Sequence, residues 1–300
     1  MLSIHPITLA DKSWVDGYVY AENPDSADFT FGNMFLWDQE YTQLIGELGG
    51  RMIVMVKSEA EPFFAYPIGT GPLEPVIGAM GQFAREQGFP FVLSGLMERS
   101  RTELEAAYPG RFRYRLDEVY SDYVYSAEKL ATLAGKKLHK KRNHIHQFER
   151  NVPDWQFEPL ERKHFEDCLA LLRRWNAEAG ASETAAAEYA AIQRAFEYYE
   201  PLGLDGGILR AEGRIAAFAV GERIGRDVYL THFEKADGAV EGAYAMINRE
   251  FARLIVQRYP DVRYINREDD LGLENLRKAK MSYYPEYLVQ KYTAVWTGEK

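Results

Sequence analysis

The stretch "HFEK", residues 232–235, sets a histidine and a carboxylate two positions apart. In a strand, alternate side chains share a side, so His232 and Glu234 point one way and Phe233 the other. Either group suits a general base, and both are candidate catalytic residues. The plain alternative is an ordinary half-buried strand end. The stretch "NREDD", residues 266–270, follows the strand-like "VRYI" and offers Asn266 and Asp269 as candidate substrate contacts. Its acids equally suit a solvated turn before a helix, where negative charge favours the dipole.

A third stretch, "GKKLHKKRNHIHQFER", residues 135–150, carries six Lys or Arg in a chain of formal net charge −9. On a helical wheel Leu138, Ile145 and Phe148 fall on one face, Lys141 inside that stripe and Arg142 on its edge. A cation held in an apolar face costs several kcal/mol unless paired. Lys141 and Arg142 therefore call for acidic partners, with Asp269 or Asp270 the nearest in kind, or for an anionic ligand to which Asn143 adds a polar contact. Stems packed on the core edge with heads in water is the bland reading. His144 and His146 diverge by about 200° on a helix and cannot grip one ion, and Cys partners at metal spacing are missing, so no metal is expected. Cys168, in "HFEDCLALLRRW", reads as a small buried hydrophobe. No Ser-His-Asp arrangement has recognisable spacing.

These residues need elements to position them. Thr8 and Asp11 have capping-box spacing, so a helix starts near Leu9. Gly49-Gly50 joins two strands as a hairpin, because both positions tolerate positive φ. A helix closes at Gly88 and a short one stops before Pro109-Gly110. After a strand that starts beyond Pro153, two amphipathic helices precede three antiparallel strands turning at Glu212-Gly213 and Ile224-Gly225. Helix, strand, helix and a final strand "EYLVQKYTAVW" follow. In "GLENLRKAKMSYYP", Leu276, Ala279 and Tyr283 share a face that also takes Lys280, with Arg277 its neighbour and Pro285 the limit. The first half repeats the order in shorter form. This is an α+β layout of helices on mixed, mostly antiparallel sheets.

At 300 residues the length suits about two domains of roughly 150 residues each. The expected division is 1–134 and 135–300, with the basic helix at the junction. The single cysteine fits a reducing compartment. The first residues, "MLSIHPITLADKSW", have no signal-peptide pattern, and no apolar run reaches about 18 residues, so the expectation is a cytoplasmic protein without integral membrane association. A sequence pI near 5.3 argues against DNA as a partner. The residues specify no oligomeric state.

The strand–helix order after residue 153 resembles the GCN5-related N-acetyltransferase (GNAT) fold, and Asn275, Ala279 and Tyr283 resemble an expanded form of that fold's terminal helix signature. The blocks "DYVYSAEKLATLAGKKLHKKRNHIHQFER", "HFEKADGAVEGAYAMINREFA" and "YINREDDLGLENLRKAKMSYYPEY", with "FTFGNMFLW" in the first half, resemble uncharacterised bacterial proteins grouped with the C-terminal domain of phosphatidylglycerol lysyltransferase. That group is similar in fold to the Fem aminoacyltransferases, which carry two tandem GNAT-like domains. The resemblance implies a strand end near "HFEK" that splays to receive an acyl group. It implies that Arg277 and Lys280, in "LRKAKMSYYP", face a phosphate or a developing oxyanion, with Lys280 catalytic; the alternative is a structural pair with Glu234 or the "REDD" acids. The lysyltransferase proper also carries a membrane-spanning half; the expectation here is a protein without one, so a lipid substrate does not follow from the resemblance.

One departure concerns the donor. GNAT enzymes hold a pyrophosphate in a Gln/Arg-x-x-Gly-x-Gly/Ala loop at a helix N-terminus. This chain has "ADGAVEGAYA" there, with Ala239 in place of the amide or basic residue, Tyr244 after Gly242, and the carboxylate of Glu241 beside the site. Aminoacyl-tRNA-using relatives also lack a good version of the loop. The reading is an acyl or aminoacyl transferase acting on an amine or hydroxyl, without a bound cofactor and with aminoacyl-tRNA, acyl-CoA or another small-molecule donor. The alternatives are an acetyl-CoA N-acetyltransferase, and a non-catalytic ligand- or partner-binding protein on the same fold.

Overall fold

The computed structural model describes residues 2–58, 61–179 and 183–298. The first part of the chain runs β1 (His5–Pro6), α1 (Lys12–Glu22), α2 (Phe31–Leu36), β2 (Thr42–Leu48), β3 (Arg51–Lys57), β4 (Phe63–Ala65), β5 (Ile68–Gly69), α3 (Leu73–Gln87), β6 (Val92–Leu96), α4 (Glu98–Ala107) and β7 (Phe112–Leu116). Then come β8 (Asp122–Ser126), α5 (Ala127–Thr132), α6 (His139–Asn151), β9 (Gln156–Pro159), α7 (Phe165–Ala179), α8 (Glu183–Glu197), α9 (Tyr199–Leu202), β10 (Asp205–Ala211), β11 (Arg214–Arg223) and β12 (Val228–Ala236). The chain ends α10 (Ala243–Arg258), β13 (Tyr264–Asn266), α11 (Glu274–Met281), β14 (Tyr287–Val289) and β15 (Tyr292–Trp296).

Two compact units result. The first takes the described residues up to Asp122, then Asp269–Gly272 and those from Leu288 on; the second takes Tyr123–Glu268 and Leu273–Tyr287. The break therefore falls at Asp122 rather than at 134/135, and the C-terminal segment belongs to the first unit. The physical reason is strand pairing. The expected single strand "EYLVQKYTAVW" is two: β14 lies in the sheet ordered β14-β8-β13-β12-β11-β10-β9, and β15 lies in the sheet ordered β1-β2-β3-β4-β6-β15-β7. There β15 is antiparallel to β6 on one side and β7 on the other.

In the first unit, the Thr8–Asp11 capping box forms as its spacing requires, opening a short 3-10 turn that leads into α1. Gly49 and Gly50 take φ of 59° and 77°, closing the β2–β3 hairpin at Leu48 opposite Arg51. Phe64 packs among Phe83, Phe89 and Phe91, and Phe112 meets Trp296 of β15 with ring centroids 5.0 Å apart. Lys291, buried before β15, places its ammonium 2.6 Å from Asp28 and 2.8 Å from Asp122.

In the second unit, the "IAAFAV" run of β11 is buried on both faces. Ala217 and Ala219 join the core formed with α5, α6 and α10, whereas Phe218, on the opposite face, meets Phe196 of α8. Ile145 and Phe148 are the buried residues of α6, and Leu138 is buried at its N-cap, so the apolar face read from the sequence is the packed one. Cys168 is fully buried, and burial pushes its thiol pKa up.

Candidate functional site

The site begins where two strands part. Val228, Tyr229 and Leu230 of β12 pair in parallel with Tyr264, Ile265 and Asn266 of β13. Beyond Leu230, β12 continues to Ala236 paired with β11, while β13 ends at Asn266. Asn266, fully buried, makes that turn: its side-chain oxygen accepts the Glu268 N–H at 2.6 Å, and Glu268 takes φ of 58°. Tyr123 secures it from β8, accepting the Arg267 N–H and donating to the Glu268 carbonyl. Lys280 secures it from α11. It is the buried residue of that helix, and its ammonium donates to the carbonyls of Arg267 and Glu268, the latter at 3.1 Å. Tyr125 in turn donates to the Lys280 carbonyl at 2.9 Å.

His232 occupies the near side of the gap. Its ring is buried, with Nε2 3.0 Å from Glu222 and Nδ1 3.1 Å from Glu268. Burial opposes a charge on the ring, but the hydrogen bonds to the two carboxylates outweigh it and raise the pKa to about 9. At neutral pH His232 is an imidazolium with both N–H groups in use.

Glu234, two residues on, belongs to a second group. One oxygen accepts from Arg267 Nη2 at 2.8 Å and the other from Asn248 Nδ2 of α10 at 3.0 Å. Arg267 is buried against the rings of Tyr283 and Tyr125, 5.0 and 5.6 Å from their centroids. Its Nη1 and the Asn248 side-chain oxygen are buried and have no hydrogen-bond partner among the described residues. Lys141 of α6 reaches the same group, its ammonium 3.9 Å from the Tyr283 centroid. Burial first, then repulsion from Arg267, push its pKa down to about 8, with Glu234 only partly offsetting them.

Several sequence expectations meet different partners. Among the described residues Arg142 takes no acidic partner; it donates to the carbonyls of Leu133 and Gly135, the second at 2.8 Å. Leu133 is the C-cap of α5, so its carbonyl lies at the negative end of that helix, and together with the Gly135 carbonyl beyond it satisfies a guanidinium without an acid. Lys141 has a ring in place of an acidic partner. Asp269 and Asp270 accept the N–H groups of Leu271 and Gly272. Asn143 is exposed, 3.5 Å from His139, in an open hollow with His146, Gln147, Glu149 and Arg150. Arg277 and Ala279 are exposed, so the face of α11 that turns inward is centred on Lys280 rather than on the expected apolar stripe. Arg267, Asn248, Tyr125 and Glu222 belong to no motif in the sequence. Glu222 had a signal: the β11–β12 hairpin sets it opposite Leu230, beside His232.

The loop before α10 is closed by the chain itself. Gly242, the N-cap of α10 at φ 85°, lies so close to α6 that a Cβ there would sit 2.7 Å from the His144 carbonyl and 2.9 Å from Phe148 Cβ. Gln147 also donates to Glu241 at 2.8 Å. Among the described residues, no helix is long and apolar enough to cross a membrane.

The family model described as phosphatidylglycerol lysyltransferase, C-terminal, matches residues 22–295. The chain belongs to that family. A conserved protein of unknown function from Bacteroides thetaiotaomicron is 35% identical, with a TM-score of 0.94 over 99% of this chain and 100% of that one. L-PGS from Bacillus licheniformis superposes with a TM-score of 0.64 at 15% identity, over 97% of this chain and 93% of that one. FemX gives 0.64 at 7% identity over 97% of each. An uncharacterised protein of Mycoplasmoides gallisepticum is 24% identical over 195 residues, 59% of this chain and 56% of that protein, so the match spans little more than half of that relative. The fold class is the expected one, shared with tandem GNAT proteins and FemX.

Proposed function

We propose that this protein is an acyltransferase that moves an aminoacyl group from an activated ester, aminoacyl-tRNA, to an amine or hydroxyl acceptor. The observation that carries the reading is the spare N–H of Arg267. It is a charged donor, buried and fixed on its other side by Glu234, at the place where β12 and β13 part. A preorganised donor of that kind supports the oxyanion of a tetrahedral intermediate, and one such contact typically contributes about 3–4 kcal/mol. The lysyltransferase and FemX likenesses support an aminoacyl rather than an acetyl group. The closed loop at Gly242 supports the same choice, because α6 lies where the pyrophosphate of acetyl-CoA would need free backbone N–H groups.

The test is ligand-dependent melting, run in parallel with charged tRNA, uncharged tRNA, free amino acids and acetyl-CoA, with release of the amino acid from the charged tRNA followed in the same samples. A ligand that binds only the folded state at about 100 times its Kd adds roughly 2.7 kcal/mol. The expected result is stabilisation and deacylation with charged tRNA and no shift with acetyl-CoA. A saturable shift with acetyl-CoA, and none with charged tRNA, would replace this reading with an ordinary N-acetyltransferase.

A further inference from the structure

The acyl-transfer reading needs a group to take the proton of the attacking nucleophile, and the two candidates on β12 are both occupied. Glu234 accepts from Arg267 and Asn248 on its two oxygens, and His232 donates from both nitrogens to Glu222 and Glu268. Lys280 spends its ammonium on two backbone carbonyls. One nitrogen of the group is differently placed. Among the described residues Lys141 makes no hydrogen bond and no ion pair; it lies over Tyr283, half-buried, with Arg267 close enough to repel it. Lys137, one turn earlier, lies over Tyr284 and brings no negative charge.

We propose that Lys141 serves this site as a neutral amine that receives the proton of the attacking N–H or O–H. The geometry favours the neutral form for three reasons. The side chain is held in the apolar stripe of α6 between Leu138 and Ile145, where water cannot fully solvate an ammonium. The carboxylate nearest in the group, Glu234, is committed to Arg267 and Asn248. The guanidinium of Arg267 adds a like charge. Against these, the Tyr283 ring face and the residual field of Glu234 favour the ammonium, and the balance is the downward shift to about 8.

The proposal rests on the acyl-transfer reading, and the step balances without a further reactant. The attacking nitrogen or oxygen forms its bond to the ester carbon as its proton passes to Lys141 Nζ. The carbon–oxygen bond to the leaving ribose breaks, and the same proton returns from Nζ to the leaving oxygen. Lys141 ends neutral, as it began.

Competitive labelling with acetic anhydride across pH 6–11, read lysine by lysine by mass spectrometry, tests the amine directly and needs no knowledge of the donor. A simple alkylamine labelled in the same mixture serves as the reference. Lys141 is expected to reach half-maximal reactivity near pH 8, well before it, and to move up in Arg267→Met. Titration together with the simple amine, or no labelling at any pH, overturns the proposal. If labelling succeeds but the wild type deacylates no charged tRNA, it is the acyl-transfer reading that fails. Where deacylation occurs, Lys141→Met is expected to slow it about a hundredfold, the lower range for a general base, and to remove the inflection near pH 8 from its rate profile. An unchanged rate in that variant overturns the role.

Discussion

His232 is charged because two carboxylates hold it, and that charge is tied to folding. Its folded pKa, about 9, lies above the ordinary histidine value of 6.5. The stabilisation is therefore complete below about pH 6.5 and lost as pH rises through about 9. The shift corresponds to something on the order of 3 kcal/mol. Lys141 titrates with the opposite sign, since its folded value lies below the usual one. The effect is therefore best read as the difference between wild type and His232→Gln. Urea titrations from pH 6 to 9.5 should show the gap between the two proteins narrowing as pH rises, and a constant gap would mean that His232 folds neutral. Lys280 makes a related prediction. Lys280→Met keeps the stem and removes the donor from the Arg267 and Glu268 carbonyls. A loss of about 1–3 kcal/mol is expected, the cost of buried acceptors left without their charged donor. An unchanged denaturation midpoint would remove Lys280 from the support of the turn.

At the scale of elements, the contact of α6 with the N-terminus of α10 depends on one missing methyl group. Gly242→Ala puts a Cβ against the His144 carbonyl at a residue whose φ is +85°, so backbone strain and overlap act together. The variant should lose about 2–4 kcal/mol and expose α6 to protease, whereas Gly238→Ala, with open space at its Cβ, should behave as wild type. Equal stability of the two would mean that α6 yields easily. Local elements were legible in the sequence because their causes are local: the Thr8–Asp11 box, the Gly49-Gly50 turn, the apolar face of α6. The site was legible only in part. Glu234, His232, Lys141 and Lys280 stand out as polar residues at strand or core spacing. Their partners do not, because Arg267, Asn248 and Tyr125 are brought to them by pairing between distant segments. Arg267 in particular reads as one more charge in an acidic turn. Nothing local to "NREDD" signals that its side chain is buried against two tyrosines. The break between β14 and β15 was hidden for a similar reason, since "EYLVQKYTAVW" holds no Gly, Pro, Asn or Asp to mark a turn and only the slot between β6 and β7 divides it.

For the whole molecule, connectivity matters more than the apparent halves. A fragment of residues 1–134 contains β6 and β7 but lacks the strand that joins them, and it lacks the ammonium shared by Asp28 and Asp122. It should show no cooperative melting transition and should bind a hydrophobic dye, while the full chain melts cooperatively. A fragment with a sharp transition would mean that β6 and β7 close without β15. In the intact chain, Lys291→Met should cost about 3–5 kcal/mol, because it removes the cation from a buried acid. The placement of β15 also sets an order of events in the cell. A ribosome delivers β6 and β7 early and β15 only after β13 has been made, so the first sheet cannot be completed as it emerges. At about 5–20 residues per second, the aromatic cluster around Phe64 and Phe112 waits many seconds for Trp296. During that interval the nascent chain offers two open strand edges to whatever is nearby, and chaperone occupancy should track that interval rather than the stability of the finished protein.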